Sequence, residues 1–231
     1  MRRKGYVCIF AKPPRPGMVK TRLAPEVGNE CAAALARAFS RDTWSAVSSL
    51  PWARPILATT DADCRDWDFA REAEIWLQGD GDLGKRLERV LRRALSLAPF
   101  AIAVGIDTPG LPHSLLEQAR RYLRASDAVL GPCVDGGFYL IGLKRCPPGL
   151  LRNLPWSARD TFVQTLTRMK NRGFQTRVLP LWFDVDHPSD LRHLQSLLSR
   201  GAISAPQTVS ILSEMLPPAR DRRRLPSRTS S

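Results

Sequence analysis

Hydrophobic and polar positions along the chain sort into two kinds of segment. Unbroken apolar runs at 6–10 (Tyr6-Val7-Cys8-Ile9-Phe10) and 100–106 read as strands buried on both faces, with shorter candidates at 55–59, 75–77, 128–130 and 138–142 and a later one at 176–182. Between them, apolar residues recur at helical spacing. The segment 27–50, through Ala33, Leu35, Ala36, Phe39, Trp44 and Val47, predicts one long helix or two short ones, closed by Pro51; prolines forbid a helix until after Pro25. Helices follow at 85–97, 112–125 (proline in its opening turn), 159–172 and 189–200, with a last amphipathic segment at 209–215. Strands alternating with helices predict a mostly parallel sheet covered on both faces. In such open sheets ligands bind beyond the carboxyl ends of the strands, so the loops after strands are where chemistry is expected.

Composition narrows the class. With 231 residues, 43% of them hydrophobic, the chain can bury one core, and we expect one globular unit over 1–216 followed by a basic, disordered tail at 217–231. The net charge of +13 suits a polyanionic partner, but much of it lies in Arg2-Arg3-Lys4 and in Arg220, Arg222, Arg223, Arg224 and Arg228. No nucleic-acid motif accompanies it, so solvated ends are the expectation and small phosphorylated ligands stay compatible. The five cysteines are dispersed without a CxxC pair, which points to a reducing cytoplasm; Cys8 and Cys133 read as small core residues in strands. No run is long enough to span a membrane, and 6–11 is too short for a signal-peptide core.

Candidate chemistry sits in four places, all after strands. The loop Ala11-Lys12-Pro13-Pro14-Arg15-Pro16-Gly17-Met18-Val19-Lys20-Thr21-Arg22 offers Lys12, Arg15, Lys20 and Arg22, with Gly17 permitting a sharp turn, to phosphate oxygens, although it lacks Walker spacing. Asp107, directly after the strongest strand and before Pro109, is either a ligand for Mg²⁺ or a turn initiator. Asp184 and Asp186, two apart in extended chain, share a side and can both reach one ion; Asp186 alternatively caps the helix near Ser189, and His187 reads as a loop residue. Asp135 precedes Gly136-Gly137, where missing Cβ atoms let backbone approach a bound group; it could orient or deprotonate an acceptor, and the same residues fit a hairpin. Asp80 and Asp82, between glycines, read as a turn and helix entry, since most ligand positions of a calcium loop are missing.

Taken jointly, these motifs resemble a bacterial family of nucleotide-diphospho-sugar-transferase-like proteins, the radical-SAM/selenodomain-associated transferases linked to arsenosugar-type glycosyltransferases. The resemblance spans 6–194 and rests on Phe10-Ala11-Lys12-Pro13-Pro14, Pro16-Gly17, Lys20-Thr21-Arg22-Leu23, Gln78-Gly79, Gly81-Asp82-Leu83-Gly84, Asp107-Thr108-Pro109, Asp135-Gly136-Gly137-Phe138-Tyr139-Leu140-Ile141-Gly142, Trp156-Ser157 and Asp184-Val185-Asp186. It implies a three-layer, Rossmann-like α/β fold of glycosyltransferase-A type with a mostly parallel mixed sheet. Phospholactate and molybdenum-cofactor guanylyltransferases share a similar basic loop and Asp-x-Pro turn. The implied activity is transfer of a sugar from a nucleoside diphosphate sugar to a small acceptor, with Mg²⁺ or Mn²⁺ on Asp107, Asp184 and Asp186 and the acceptor near Asp135, Gly136, Gly137, Trp156 and Ser157. The alternative is guanylyl- or cytidylyltransferase-like nucleotidyl transfer from a nucleoside triphosphate to a phosphorylated small molecule; a non-catalytic polyanion binder ranks last. His187 stands where the family pattern usually has threonine.

Overall fold

The structure, a computed structural model, describes residues 4–63 and 65–215. Arg2, Arg3, Cys64 and the basic 217–231 segment lie outside the described residues. Among the described residues seven strands form one sheet in the order β3-β2-β1-β4-β6-β5-β7: β1 Gly5–Ala11, β2 Ala53–Thr59, β3 Glu74–Leu77, β4 Ala101–Gly105, β5 Ala128–Pro132, β6 Phe138–Leu143 and β7 Thr176–Val178. Only β6 runs antiparallel to its neighbours β4 and β5. The carboxyl ends of the other strands and the start of β6 therefore share one edge. The helices are α1 Ala24–Val27, α2 Asn29–Ser48, α3 Leu83–Leu97, α4 His113–Ala125, α5 Thr161–Asn171, α6 Pro188–Ser199 and α7 Pro206–Met215.

Both faces of the sheet are buried, as the apolar runs require. In β1, Val7 and Ile9 belong to one core with Trp44 and Val47 of α2 and Leu115, Leu116, Ala119 and Leu123 of α4. Cys8 belongs to the opposite core, with Leu87, Val90 and Leu91 of α3 and Met169 of α5. Each fully buried aliphatic contributes about 1.5–3 kcal/mol. A third cluster, Leu23, Leu35, Phe39, Val185, Leu191, Leu194 and Leu212, attaches α6 and α7 to the outer side of α2. The buried Asp42 of α2 completes that attachment, accepting from the Gln207 N–H (3.0 Å), the Thr208 N–H (2.9 Å) and the Thr208 hydroxyl (2.7 Å) at the start of α7.

Several boundaries differ from the sequence expectation for local reasons. A helix begins at Ala24, earlier than expected, because Pro25 occupies a first-turn position where its missing N–H costs nothing. Gly28, at φ 83°, then separates α1 from α2, and the expected 27–50 region is one long helix, α2, with the short α1 ahead of it. The 176–182 strand shortens to three residues ahead of Pro180; beyond it the Leu179 and Trp182 N–H groups still bond to Leu130 and Pro132. Asp82 caps α3 by accepting from the Lys85 N–H at 2.8 Å, the helix entry expected of it. Among the described residues no helix is long and apolar enough to cross a membrane.

Candidate functional site

The sheet order places β1 beside β2 on one side and β4 on the other, so the connections leaving β1 and β4 diverge and open a crevice between them. A cavity of about 660 Å³ lies there, lined by Phe10, Ala11 and Lys12 at the end of β1, Lys20 and Arg22, Gly105 to Asp107 at the end of β4, Gln78, Arg86 of α3, Asp135, Ser157 and Asp186.

Lys20 organises its floor. The residue adopts a left-handed backbone, φ 48°, a conformation that costs a side-chain-bearing residue about 1–2 kcal/mol. Its side chain is only 4% exposed. The ammonium contacts Asp107, donates to the Val185 carbonyl at 2.8 Å and lies 3.2 Å from Asp186. Burial by itself would lower the lysine pKa, but the Asp107 and Asp186 carboxylates outweigh it and hold the ammonium above the usual lysine range. Arg22 reaches the other Asp186 oxygen at 3.3 Å. The Val185 N–H, donating to the Asp107 carbonyl at 2.8 Å, holds the 184–186 segment against the end of β4.

Asp184 has a different environment. Val185 between the two aspartates is fully buried, as alternation in extended chain demands, yet the carboxylates part company. Asp186 goes to the cations, whereas an Asp184 oxygen, an Asp135 oxygen and the Cys133 sulfur all lie within 4.8 Å of one another. Burial, then the charges of Asp135 and Asp186, push the Asp184 carboxyl up to about 6. Burial and the same carboxylates also raise the Cys133 thiol well above its ordinary value. Like charges brought together beside a half-buried carboxyl suit a cation. Two carboxylates are hard donors that fit Mg²⁺ or Mn²⁺, while a protonated thiol adds little to either.

The expected site residues therefore divide. Lys12, Lys20, Arg22, Asp107, Asp135, Ser157 and Asp186 line the cavity, and Asp184 lies against it through Asp135. Asp186 does not cap α6: His187 is the N-cap and its N–H donates to Asp190 at 2.7 Å. Arg15 is drawn away from the cavity to Asp61 and Asp66, each at 2.7 Å, and Asp63 at 3.7 Å. Gly17 is exposed and outside the lining. Gly136, at φ 91°, is required for a reason other than ligand approach, because a Cβ there would collide with the Arg159 carbonyl of the chain itself. Gly137 donates its N–H to Asp135 at 2.8 Å and so orients that carboxylate in the turn joining β5 to β6, the expected hairpin. Trp156 packs edge-on against Phe138 at 6.0 Å and does not line the cavity. Cys133 is buried as expected, but one residue past β5 and beside the carboxylates.

The sequence reading gave no site role to Gln78, quoted only within the Gln78-Gly79 motif, or to Arg86. Gln78 is buried and donates to the Ala58 carbonyl at 2.7 Å and the Ala11 carbonyl at 3.3 Å, tying the ends of β1 and β2 together. Arg86 has its Nε buried without a hydrogen-bond partner among the described residues. Its signal was positional: it opens the helix that follows β3, on the edge where the other loops converge.

A family model described as "Uncharacterized protein conserved in bacteria (DUF2064)" matches residues 43–158. No curated protein matches the sequence. Among solved structures, a Desulfovibrio desulfuricans G20 protein provisionally named a nucleotide-diphospho-sugar transferase is 30% identical, with a TM-score of 0.81 over 92% of this chain and 95% of that one. Two further structures share the fold at lower identity. A CMP:2-keto-3-deoxy-manno-octonic acid synthetase complexed with CTP has a TM-score of 0.56 and 15% identity over 86% of this chain and 99% of its own. A molybdopterin-guanine dinucleotide biosynthesis protein A from Archaeoglobus fulgidus has 0.54 and 16% over 84% and 99%.

Proposed function

Because the chain belongs to the bacterial DUF2064 family and has the fold of nucleotide-handling transferases, we propose that it transfers a glycosyl group from a nucleoside diphosphate sugar to a small acceptor, with Mg²⁺ or Mn²⁺. The observation that carries this reading is the single cavity joining cations for a diphosphate (Lys12, Arg22, Arg86) to carboxylates for a divalent ion. Its volume, about 660 Å³, falls in the range of small-molecule and cofactor sites.

On this reading Asp184 and Asp135 hold the ion, with Asp107 and Asp186 able to join when Lys20 turns to phosphate. The ion, when bound, neutralises the departing diphosphate. Lys12, Arg22 and Arg86 bind and orient that diphosphate, lowering the barrier by positioning and electrostatics. Asp135, held by the Gly137 N–H, also faces the acceptor side, where an acceptor hydroxyl could give up its proton. Nucleotidyl transfer is the second reading, favoured by one observation: Lys12 and Arg86 line the cavity without carboxylate partners among the described residues and, with Arg22, would match a triphosphate, and Lys20 would then serve the released pyrophosphate.

The test is a panel of nucleoside diphosphate sugars and nucleoside triphosphates with Mg²⁺ or Mn²⁺, read by thermal shift and then by product. Release of a nucleoside diphosphate supports glycosyl transfer; release of pyrophosphate replaces it with nucleotidyl transfer. Stabilisation by neither class refutes both. Asp135→Ala is expected to keep nucleotide affinity within about threefold and lose about a hundredfold in turnover. Loss of affinity in proportion to turnover would confine Asp135 to holding the ion and the nucleotide and remove its role toward the acceptor proton.

A further inference from the structure

Helix α3 carries a second charged surface that the cavity does not use. Lys85, Arg89 and Arg92 follow one another at helical spacing and, with Glu88 and with Arg152 from the loop after β6, enclose a cleft of about 210 Å³. All five lining residues are charged, four of them positively. The one carboxylate is already satisfied: Glu88, 4% exposed, accepts from the Gly149 N–H at 2.8 Å and the Leu151 N–H at 3.4 Å, with Arg152 Nε at 3.9 Å. Arg89 is held in place by the carbonyls of Gln78 and Asp80. Lys85 and Arg92 make no ion pair among the described residues.

Cations gathered around a concave space with their only carboxylate engaged by backbone repel one another until an anion enters. We propose that this cleft is a binding site for a phosphoryl group, free or esterified, separate from the nucleotide cavity on the far side of α3. Arginine supplies the planar fork that pairs with two phosphate oxygens at once; Arg92 makes no ion pair among the described residues, and Arg152 meets Glu88 only through Nε at 3.9 Å, which leaves its terminal nitrogens to the anion. The space, about 210 Å³, is of a size to take phosphate or pyrophosphate and is far smaller than the cavity proposed for the nucleotide.

Calorimetric titration of the full chain with inorganic pyrophosphate tests the site against two double variants. R92Q/R152Q alters exposed side chains and is expected to fold normally, checked by circular dichroism, while weakening one binding event by about tenfold or more. R22Q/R86Q, which weakens the cavity, should retain that event, so failure of the nucleotide reading shows only in the second variant. The proposal is overturned if R92Q/R152Q titrates like the wild type, or if the wild type shows no event that survives R22Q/R86Q. Repeating the titration with inorganic phosphate and phenyl phosphate identifies the source. Equal binding of both supports an esterified phosphoryl ligand, and binding of inorganic phosphate alone supports the free ion.

Discussion

Replacing Lys20 by Met removes the one buried ammonium that faces Asp107 and Asp186 and leaves the chain's left-handed turn otherwise intact. At 3.2 Å from Asp186, with an effective dielectric of about 20, the gross attraction is about 5 kcal/mol. Breaking a buried pair costs about 3–5 kcal/mol when the surviving charge stays dry. Here it does not: the side chains of Asp107 and Asp186 are 51% and 33% exposed, so water re-solvates them and the net loss should be about 2 kcal/mol. Lys20→Met should therefore lower the melting temperature by about 4–8 °C, measured by circular dichroism with a chelator present. The variant also frees two carboxylates, so saturating Mn²⁺ should raise its melting temperature by more than that of the wild type. A variant within about 0.5 kcal/mol of wild type would show that the triad contributes nothing to stability. Equal stabilisation of both proteins by Mn²⁺ would refute the idea that Lys20 competes with a cation for these carboxylates.

Asp42→Ala strands two backbone N–H groups and a buried hydroxyl at the start of α7; we expect a loss of about 3 kcal/mol in urea unfolding, and a loss below about 1 kcal/mol would detach α7 docking from Asp42. Asp184 titrates in the opposite sense to a salt-bridged aspartate. Its folded-state pKa, about 6, exceeds the ordinary 3.8, so the native state binds the proton more tightly and stability falls as pH rises from about 4 to 6. Asp184→Asn should remove that dependence, worth about 1 kcal/mol after discounting for partial solvation, in chelated samples compared at pH 4.5 and 7.5; identical slopes for the two proteins would count against it. Asp107→Asn should weaken metal-dependent nucleotide binding in a folded protein; unchanged Mg²⁺-dependent affinity by calorimetry would remove Asp107 from the site.

Sequence periodicity carried the order of strands and helices, because burial on one or both faces repeats every two or 3.6 residues and needs no knowledge of distant chain. It also placed Asp107, Asp135, Asp184 and Asp186 at loops after strands, and the parallel sheet brought those loops to one edge. Which charges meet there was another matter. Lys20 finds Val185 across 165 positions, and Arg15, in the same loop, is drawn instead to Asp61 and Asp66. Asp184 and Asp186 share a side of the extended segment yet take different partners, one turning to Asp135 and Cys133 and the other to Lys20 and Arg22. Gly136 is needed to clear Arg159, a neighbour supplied by the loop before α5. Local pattern fixes the face on which a side chain emerges, but Coulomb pairing and steric contact depend on distances that exist only once the chain has folded.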